Sequence, residues 1–341
     1  MKAYLFLVHN DPVHFSRILK NIDDGESDVY IHLDKKVDRD DFINHVNYKF
    51  NGKIIYIKDR ISVVWGDLSM VVAMLNLIKS AIKSDYQHLI FLSGSDYTIK
   101  PKNIIKKYFN NNKGKELIRA YNLSDNECKH CEIKIRNYWN IRISNKNRMA
   151  NKIISKMLIV TSKIFKKGKY VELNGELQPV YYGSQWFSIT PECARYILET
   201  LDANPKYINY FKHSFAPDEM FFHTIIFNSK YKNYTTYGKA EQYSSQWNLN
   251  NYTYLKNHEL DCNDRFYKNN TNILYNITSS FIHKKNKIDN TKGSGSISFL
   301  NENDFSEIEQ SKYMFARKFN SNISYDLVKK IDKLIEENGH E

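Results

Sequence analysis

The sequence is poor in the residues that build disulfide frameworks and flexible linkers. Its 341 residues include only 4 Cys, 6 Pro and 12 Gly. Four cysteines do not make a disulfide framework in a chain of this length, which favours a reducing compartment such as the cytoplasm. Cys128 and Cys131 have CxxC spacing, but no second pair with metal-ligand spacing follows them. Because we see no Pro-, Gly- or Ser-rich linker between two domains, we predict a single domain over residues 1–341.

Long apolar runs and the common catalytic motifs are also missing. No stretch approaches the roughly 18 apolar residues of a transmembrane helix, and the run over residues 1–9 is too short for the apolar region of a signal peptide. The sequence contains neither GxGxxG nor GxxxxGK[ST] nor GxSxG. The motifs therefore give no support to dinucleotide, P-loop or nucleophile-elbow chemistry.

The charge balance is basic. Lysine and arginine outnumber aspartate and glutamate by 50 to 38, giving a formal net charge of +12. Nucleic acid, an anionic membrane surface and an anionic small ligand are the partners that such a charge can attract. Nucleic acid is not expected, because the lysines are scattered and zinc-finger spacing is absent. The lysines concentrate over Lys146–Lys169, where Ala150–Phe165 is either an ordinary surface helix or a basic amphipathic helix in peripheral contact with an anionic membrane.

Hydrophobic periodicity predicts alternating strands and helices in the first third of the chain. Such an order is typical of an α/β fold with a mostly parallel central sheet. We predict a nucleotide-binding half over 1–110, an acceptor and catalytic half over 111–320, and a C-terminal helix over 321–341. The predicted strands are 3–8, 28–33, 53–57, 88–92 and 181–189, and the predicted helices are 12–22, 67–84, 191–201, one beginning at Pro217, and 324–337.

Polar residues follow each predicted strand of this first third. They are His9-Asn10-Asp11, Asp34-Lys35-Lys36, Trp65-Gly66-Asp67 and Ser93–Asp96. On a parallel sheet these groups meet at one rim, where ligands bind in open α/β sheets. A nucleotide-sugar could lie there, with its base on Trp65 and its ribose on a carboxylate. The alternative is that Ser, Gly and Asp only supply turn geometry.

Glu219 follows Pro217 and Asp218 at a predicted helix start. A first-turn glutamate can simply complement the helix dipole. It can also be a general base, because a helix N-terminus favours the carboxylate form that takes a proton from a hydroxyl.

Seven motifs in order make the sequence resemble glycosyltransferase family fourteen. The family comprises the core-2/I-branching β-1,6-N-acetylglucosaminyltransferases and the peptide O-xylosyltransferases, and the resemblance runs from about residue 3 to residue 320. The motifs are Leu-Val-His9, Ile-His32-Leu-Asp34-Lys35-Lys36, Val-Val-Trp65-Gly66, Leu-Ser-Gly-Ser-Asp96-Tyr-Thr-Ile-Lys-Pro, Gly183-Ser184-Gln-Trp186-Phe-Ser-Ile, Pro217-Asp218-Glu219 and Phe315-Ala-Arg-Lys318-Phe.

The resemblance implies a GT-A-type, Rossmann-like nucleotide-sugar-binding fold, a UDP-sugar donor and an inverting displacement. It also implies independence of a divalent metal and of any cofactor, which fits the single carboxylate, Asp96, where an Asp-x-Asp motif would have two. Glu219 maps to the catalytic base and Lys318 to a diphosphate-binding residue. The implied donor-binding residues are His9, Asp34, Trp65, Ser95, Asp96 and Lys318, with Lys292 or Arg317 as the second basic residue; the implied acceptor-binding residues are Glu127, Arg136, Trp186 and Asp218.

We therefore expect an inverting transferase that moves a sugar, GlcNAc or xylose, from a UDP-sugar to a glycan hydroxyl. The expected setting is bacterial surface polysaccharide synthesis, with a glycan or lipid-linked oligosaccharide acceptor, in the cytoplasm or peripherally at the inner membrane. The alternative is a non-catalytic nucleotide- or carbohydrate-binding module on the same fold.

Overall fold

The computed structural model describes residues 1–125, 134–139, 157, 167–235, 281–283, 299–311 and 313–339. The strands within this part of the chain are β1 (Lys2–Val8), β2 (Asp28–Leu33), β3 (Ile54–Tyr56), β4 (His88–Ser93), β5 (Asp96–Thr98), β6 (Ala120–Asn122), β7 (Tyr170–Leu173), β8 (Glu176–Pro179), β9 (Tyr181–Gly183), β10 (Ser188–Ile189), β11 (Phe281–His283) and β12 (Phe315–Arg317). The α-helices are α1 (Pro12–Ile22), α2 (Arg39–Asn44), α3 (Ser69–Ala81), α4 (Lys102–Asn111), α5 (Pro191–Ala203), α6 (Tyr207–Phe211), α7 (Phe221–Phe227), α8 (Phe305–Glu309) and α9 (Tyr325–Asn338).

The central sheet has the strand order β10-β4-β1-β2-β3. β1 pairs in parallel with β2 and β4, β2 pairs in parallel with β3, and only the short β10 runs antiparallel to its neighbour. Every residue of β1, β2 and β4 is buried, as expected when both faces of a parallel sheet are covered. The α/β class with a mostly parallel sheet, predicted from the periodicity, is confirmed.

A second, three-stranded sheet joins the C-terminal part of the described chain to the segment that follows β4. β12 lies between β11 and β5, and it pairs antiparallel with β5 so that Arg317 stands opposite Asp96. This pairing brings residues 315–318 to the carboxyl end of β4. Neither β5 nor β12 is predicted from the sequence, because each has only three residues and such runs carry too little periodicity.

Two predicted elements are wrong in detail. The strand predicted over 181–189 is divided into β9, which pairs with β6, and β10, which pairs with β4; between them the Ser184 hydroxyl accepts a hydrogen bond from the Trp186 backbone N–H at 3.2 Å and turns the chain. The helix predicted from Pro217 begins instead as a 3₁₀ turn over Pro217–Glu219, and α7 starts only at Phe221 because Met220 leaves helical geometry, with φ −134°.

The other predicted elements are confirmed to within a few residues: strands over 3–8, 28–33, 53–57 and 88–92, and helices over 12–22, 67–84, 191–201 and 324–337. None of the helices in the described ranges is long and apolar enough to cross a membrane. Cys128, Cys131 and nearly all of the predicted basic helix lie outside the described residues. The division into halves at residues 110 and 320 stays a prediction.

The start of α1 is fixed by Asp11, which has a left-handed backbone conformation with φ 55°. Its carboxylate accepts a hydrogen bond from the His14 backbone N–H at 3.0 Å and another from the Ser321 backbone N–H at 2.7 Å. The Asp11 side chain therefore caps a helix and also holds the segment that follows β12 against the central sheet.

We expect Asp11→Ala to lower the free energy of unfolding by about 1–2 kcal/mol, because it removes a helix cap. It also leaves an alanine at a positive φ, which is strained for a residue with a β-carbon, without the side-chain hydrogen bonds that hold Asp11 there. Urea unfolding monitored by circular dichroism measures this. Asp38→Ala is the matched control, since exposed Asp38 caps α2 through a single bond to Asp41. Equal losses in the two variants would contradict the additional role of Asp11.

Candidate functional site

The predicted rim at the strand ends is present, and Asp34 organises one side of it. The carboxylate of Asp34 is buried and accepts hydrogen bonds from the backbone N–H groups of Lys36, at 2.8 Å, and Val63, at 3.2 Å. The ammonium of Lys36 lies 3.5 Å from the same carboxylate. Asp34 thus joins the end of β2 to the segment that leads to Trp65.

The same segment is fixed by two further side chains. The His32 ring accepts a hydrogen bond at Nε2 from the Ile61 backbone N–H at 2.8 Å. The guanidinium of Arg60 donates to the carbonyl oxygens of Leu33, at 2.9 Å, and Asp34, at 2.7 Å. The segment ends in Trp65, whose side chain is 66% exposed. A large aromatic ring so exposed on a fixed loop is available to a ligand.

Arg317 and Asp96 form a buried pair at the end of β4. The Nε of Arg317 lies 3.5 Å from Asp96 Oδ1, and both side chains are buried. The guanidinium also lies over the ring of Trp186, 4.3 Å from its centroid. Asp96 additionally accepts a hydrogen bond from the Ser93 backbone N–H. The structure therefore places Asp96 and Trp186, predicted as donor- and acceptor-binding residues, around Arg317, where they orient the guanidinium.

Lys318 follows Arg317 at the rim and is half-buried. Its backbone carbonyl accepts a hydrogen bond from the Leu300 N–H at 2.7 Å, and the next residue, Phe319, donates to the Ser95 carbonyl at 2.8 Å. Burial, and then the charge of Arg317, lower the pKa of Lys318. Partial burial and the charge of Lys318 lower the pKa of His9. Both shifts come first from partial burial, and the contributions of Arg317 to Lys318 and of Lys318 to His9 show that these three side chains lie near one another.

Glu219 stands at the second part of the site, in contact with Lys134. The Lys134 ammonium lies 2.5 Å from Glu219 Oε2 and 2.8 Å from the hydroxyl of Tyr182. The Lys134 side chain is 15% exposed and that of Glu219 27% exposed. Burial lowers the pKa of Lys134, but the Glu219 carboxylate and Tyr182 outweigh burial and the net shift is upward. Lys134 therefore stays protonated and holds one carboxylate oxygen of Glu219.

Behind Glu219 the packing is close. Burial, followed by the charge of Glu219, raises the pKa of Asp218 well above its usual range. Burial lowers the pKa of His223 to about 3, so its imidazole is neutral. A β-carbon added to Gly183 would lie 2.3 Å from the His223 ring and 2.4 Å from the Arg119 carbonyl oxygen. A side chain at Gly183 would therefore require the Arg119 backbone or the His223 ring to shift.

Backbone hydrogen bonds join the loop of Glu219 to the rim. The Ala216 N–H donates to the Gly66 carbonyl at 2.8 Å, next to Trp65. The Phe215 N–H donates to the Lys134 carbonyl at 2.9 Å, and the Glu219 N–H donates to the Ala216 carbonyl at 3.1 Å. The exposed Trp65 and the Lys134–Glu219 pair are therefore neighbours.

The described residues thus bring together most of the predicted site, in two adjoining parts. One contains His9, Asp34, Ser95, Asp96, Arg317, Lys318 and Trp186, and the other contains Glu219, Asp218 and the loop of Trp65.

Arg136 is half-buried and its carbonyl accepts a hydrogen bond from the Lys167 N–H at 3.0 Å. Glu127 and Lys292 lie outside the described residues. No group of three or more His, Cys, Asp or Glu side chains within the described ranges could hold a metal ion.

Sequence reasoning missed Lys134 and Tyr182. Lys134 lies between Glu127 and Arg136, which were predicted to bind the acceptor, but nothing in the pattern indicates that it reaches Glu219 across 85 residues of sequence. Tyr182 directly precedes the Gly183 of a recognised motif. Proximity to that motif is the one signal that could have identified it.

The chain matches the family model described as "Core-2/I-Branching enzyme" over residues 2–284. It therefore belongs to the Core-2/I-Branching enzyme family, as the order of its motifs predicted. The matched range includes Glu219, Lys134 and Trp65 and ends before Arg317 and Lys318.

Curated relatives include two xylosyltransferases. The chain is 21% identical to xylosyltransferase 2 of Rattus norvegicus over 239 residues, which covers 67% of this chain and 24% of that protein. It is 22% identical to xylosyltransferase oxt of Drosophila pseudoobscura pseudoobscura over 224 residues, which covers 62% of this chain and 22% of that protein. The chain thus spans about a quarter of the length of these relatives. Among solved structures, the apo form of mouse xyloside xylosyltransferase 1 aligns with a TM-score of 0.35 at 10% identity, covering 79% of this chain and 89% of that one.

Proposed function

We propose that this protein is an inverting glycosyltransferase that moves a sugar from a UDP-sugar to a glycan hydroxyl, with Glu219 as the general base. The observation that carries the proposal is the position of Glu219. Its carboxylate is partly exposed, held at one oxygen by Lys134, and adjacent to the exposed Trp65 at the rim. A base in this position can receive the proton of an acceptor hydroxyl from solvent-accessible space.

The proposed reaction is a single displacement. Glu219 takes the proton of the acceptor hydroxyl as its oxygen bonds to the anomeric carbon. The bond between that carbon and the diphosphate oxygen breaks on the opposite face, and UDP leaves with the electron pair, so the configuration inverts. The Lys134 ammonium, which Tyr182 holds at 2.8 Å, fixes the orientation of the Glu219 carboxylate during the transfer.

Arg317 and Lys318 are proposed to stabilise the departing diphosphate. Arg317 is oriented by Asp96 and by the ring of Trp186, so little reorganisation is needed as charge develops on the leaving group. Asp34, His9, Ser95 and Trp65 are proposed to bind the rest of the donor. We keep GlcNAc and xylose as the expected sugars, and the names of the xylosyltransferase relatives favour testing xylose first.

The experiment that tests this function is UDP release from five donors: UDP-xylose, UDP-GlcNAc, UDP-glucose, UDP-galactose and UDP-glucuronate. We expect one donor to give UDP release and to raise the thermal unfolding temperature. The alternative, a non-catalytic module that binds a nucleotide or a carbohydrate, predicts protection against unfolding by UDP without turnover of any donor. That result would reject the transferase.

Metal independence leads to a separate prediction. Arg317 and Lys318 are proposed to supply the positive charge that a divalent ion supplies in other transferases, so UDP release should keep its rate in excess EDTA. Added Mn²⁺ or Mg²⁺ should change the rate little. An obligatory requirement for either ion would show that the two side chains do not replace a metal.

The acceptor and the cellular setting remain proposals. A lipid-linked oligosaccharide in surface polysaccharide synthesis fits a basic chain that would contact an anionic membrane peripherally. The segment expected to make that contact, Lys146–Lys169, lies almost entirely outside the described residues. Association with the membrane therefore stays a prediction from the sequence.

A further inference from the structure

A hydrogen-bonded cluster joins three segments that lie far apart in the sequence. The Tyr97 hydroxyl donates to Asp332 Oδ1 at 2.7 Å. The side-chain amide of Asn21 donates to the same carboxylate oxygen and to the Tyr97 hydroxyl, both at 3.0 Å. Asn21 belongs to α1, Tyr97 to β5 and Asp332 to α9. These three residues, which we call the tyrosine cluster, connect the C-terminal helix to the strand that pairs with β12.

The packing of α9 does not depend on the tyrosine cluster. The helix buries Leu327, Val328 and Ile331, and apolar burial of this kind is the main favourable contribution to helix docking. The Tyr97 side chain is only 1% exposed, so its hydroxyl has to be paired. Burial, followed by the charge of Asp332, raises the pKa of Tyr97, which therefore remains the donor. The bond adds a fixed orientation to a helix that is already held by apolar contacts.

Tyr97 lies directly behind the residue that orients Arg317. It follows Asp96 in β5, and the Asp96 carboxylate lies 3.5 Å from Nε of Arg317, which stands opposite Asp96 in β12. Successive side chains of a strand point to opposite faces. The side chain of Asp96 therefore reaches Arg317 on one face, while that of Tyr97 reaches α1 and α9 on the other. A movement of the β5 backbone at Tyr97 would also displace the Asp96 carboxylate.

α1 holds the same stretch of backbone. Nε2 of the His14 ring donates to the Asp96 carbonyl oxygen at 3.1 Å. Burial lowers the pKa of His14 to about 4, so the ring is neutral. The rings of His14, Tyr97 and Phe319 pack together, with centroids 5.3, 5.4 and 6.1 Å apart. Because Phe319 follows Lys318, this packing supports the backbone beside both cations that are proposed to bind the diphosphate.

We propose that Tyr97 and Asp332 are positioning residues for the donor site. Through the backbone of β5 they fix the direction in which the Asp96 carboxylate holds the Arg317 guanidinium, so the C-terminal helix acts on diphosphate binding without touching the donor. This inference rests on the proposed function, because the diphosphate is assigned to Arg317 there. The competing role is purely structural: the tyrosine cluster would then stabilise α9 and leave Arg317 unaffected.

The test begins with Tyr97→Phe, which removes the hydroxyl and keeps the ring. The Nε–H signal of Arg317 is followed by NMR in protein labelled with nitrogen-15 arginine, and UDP affinity is measured by calorimetry. We expect the variant to shift the Arg317 signal and to weaken UDP binding about 2- to 12-fold, the range for one hydrogen bond. Asp332→Leu should act in the same way. Asp332→Asn keeps an oxygen that accepts from Tyr97 and should retain most of the affinity.

Tyr86→Phe is the matched control. The buried Tyr86 hydroxyl donates to Asp28 Oδ2 at 2.6 Å, a tyrosine–aspartate bond of the same kind at the opposite end of the central sheet, where β2 begins. This variant should lower the unfolding temperature without changing the Arg317 signal or UDP affinity. Arg317→Lys assigns the NMR signal by its loss, and in that background Tyr97→Phe should no longer weaken UDP binding, because the two effects are coupled.

Each result decides between the two roles. An unmoved Arg317 signal or an unchanged UDP affinity in a folded Tyr97→Phe overturns the proposal. An equal loss of affinity from Tyr97→Phe in the wild-type and Arg317→Lys backgrounds also overturns it, because a general structural effect is additive. Should Tyr97→Phe not fold, Asp332→Leu and Asp332→Asn are compared in the same assays. A shifted Arg317 signal in a protein that releases UDP from no donor would reject the transferase while keeping the link between α9 and Arg317.

Discussion

Glu219→Gln should lower kcat by about 10²-fold or more while UDP affinity stays near that of the wild type. The amide keeps the size of the side chain and an oxygen that can accept from Lys134, but it cannot take the proton of the acceptor hydroxyl. A loss confined to kcat identifies an interaction made in the transition state. UDP release under saturating donor, together with calorimetry of UDP binding, measures both quantities.

Glu336→Gln is the matched control, because Glu336 is exposed in the last turns of α9. Lys134→Met provides a second comparison, since it removes the ammonium that holds Glu219 but leaves the carboxylate. Its pH–rate profile should move relative to wild type, whereas a purely structural residue would change stability without moving the profile. Turnover by Glu219→Gln near the wild-type rate would remove Glu219 from the mechanism.

Lys318→Ala should weaken UDP binding and slow transfer, together lowering kcat/KM by about 10²- to 10³-fold. The Lys318 ammonium is half-buried beside Arg317, and a charge in such a position acts more strongly on a diphosphate than one in open solvent. Lys83→Ala is the control, because Lys83 is exposed shortly after α3. Equal UDP affinity in wild type and Lys318→Ala would contradict a role at the diphosphate.

The lowered pKa of Lys318 gives this assignment a pH signature. Because burial and Arg317 disfavour its charged form, Lys318 loses its proton at a lower pH than an ordinary lysine does. The affinity for UDP should accordingly decrease on the alkaline side, and Lys318→Arg, whose charge persists, should shift that decrease to higher pH. An unchanged alkaline limb in Lys318→Arg would assign the pH dependence to another group.

The sequence predicts the central sheet well because its signals are local. β1 and β4 each contain a continuous apolar run, β2 is apolar apart from Asp28 and His32, and Asp11-Pro12 and Thr190-Pro191 begin helices as capping chemistry requires. The antiparallel pairing of β12 with β5 could not be predicted, because it joins three-residue strands more than 200 positions apart. Such long-range contacts leave no periodic pattern in the sequence.

The candidate site likewise has residues that the sequence could suggest and contacts that it could not. Glu219 and Lys318 could be proposed because each stands at a motif position for which the family resemblance implies a role, and Arg317 was one of two candidates for the second basic residue. The contacts among these residues could not be predicted. Asp96 and Trp186 also belong to motifs, but only the structure shows that both of them contact the Arg317 guanidinium. Lys134 belongs to no quoted motif, and only the folded chain brings it to Glu219.

The late position of β12 has a consequence for the order in which the protein is made. β10, the last strand of the central sheet, ends at Ile189, and Arg317 and Lys318 follow more than 120 residues later. During synthesis the complete central sheet therefore leaves the ribosome well before Arg317 and Lys318, the residues proposed to bind the diphosphate. On the proposed assignment, the donor site is complete only once β12 has paired with β5.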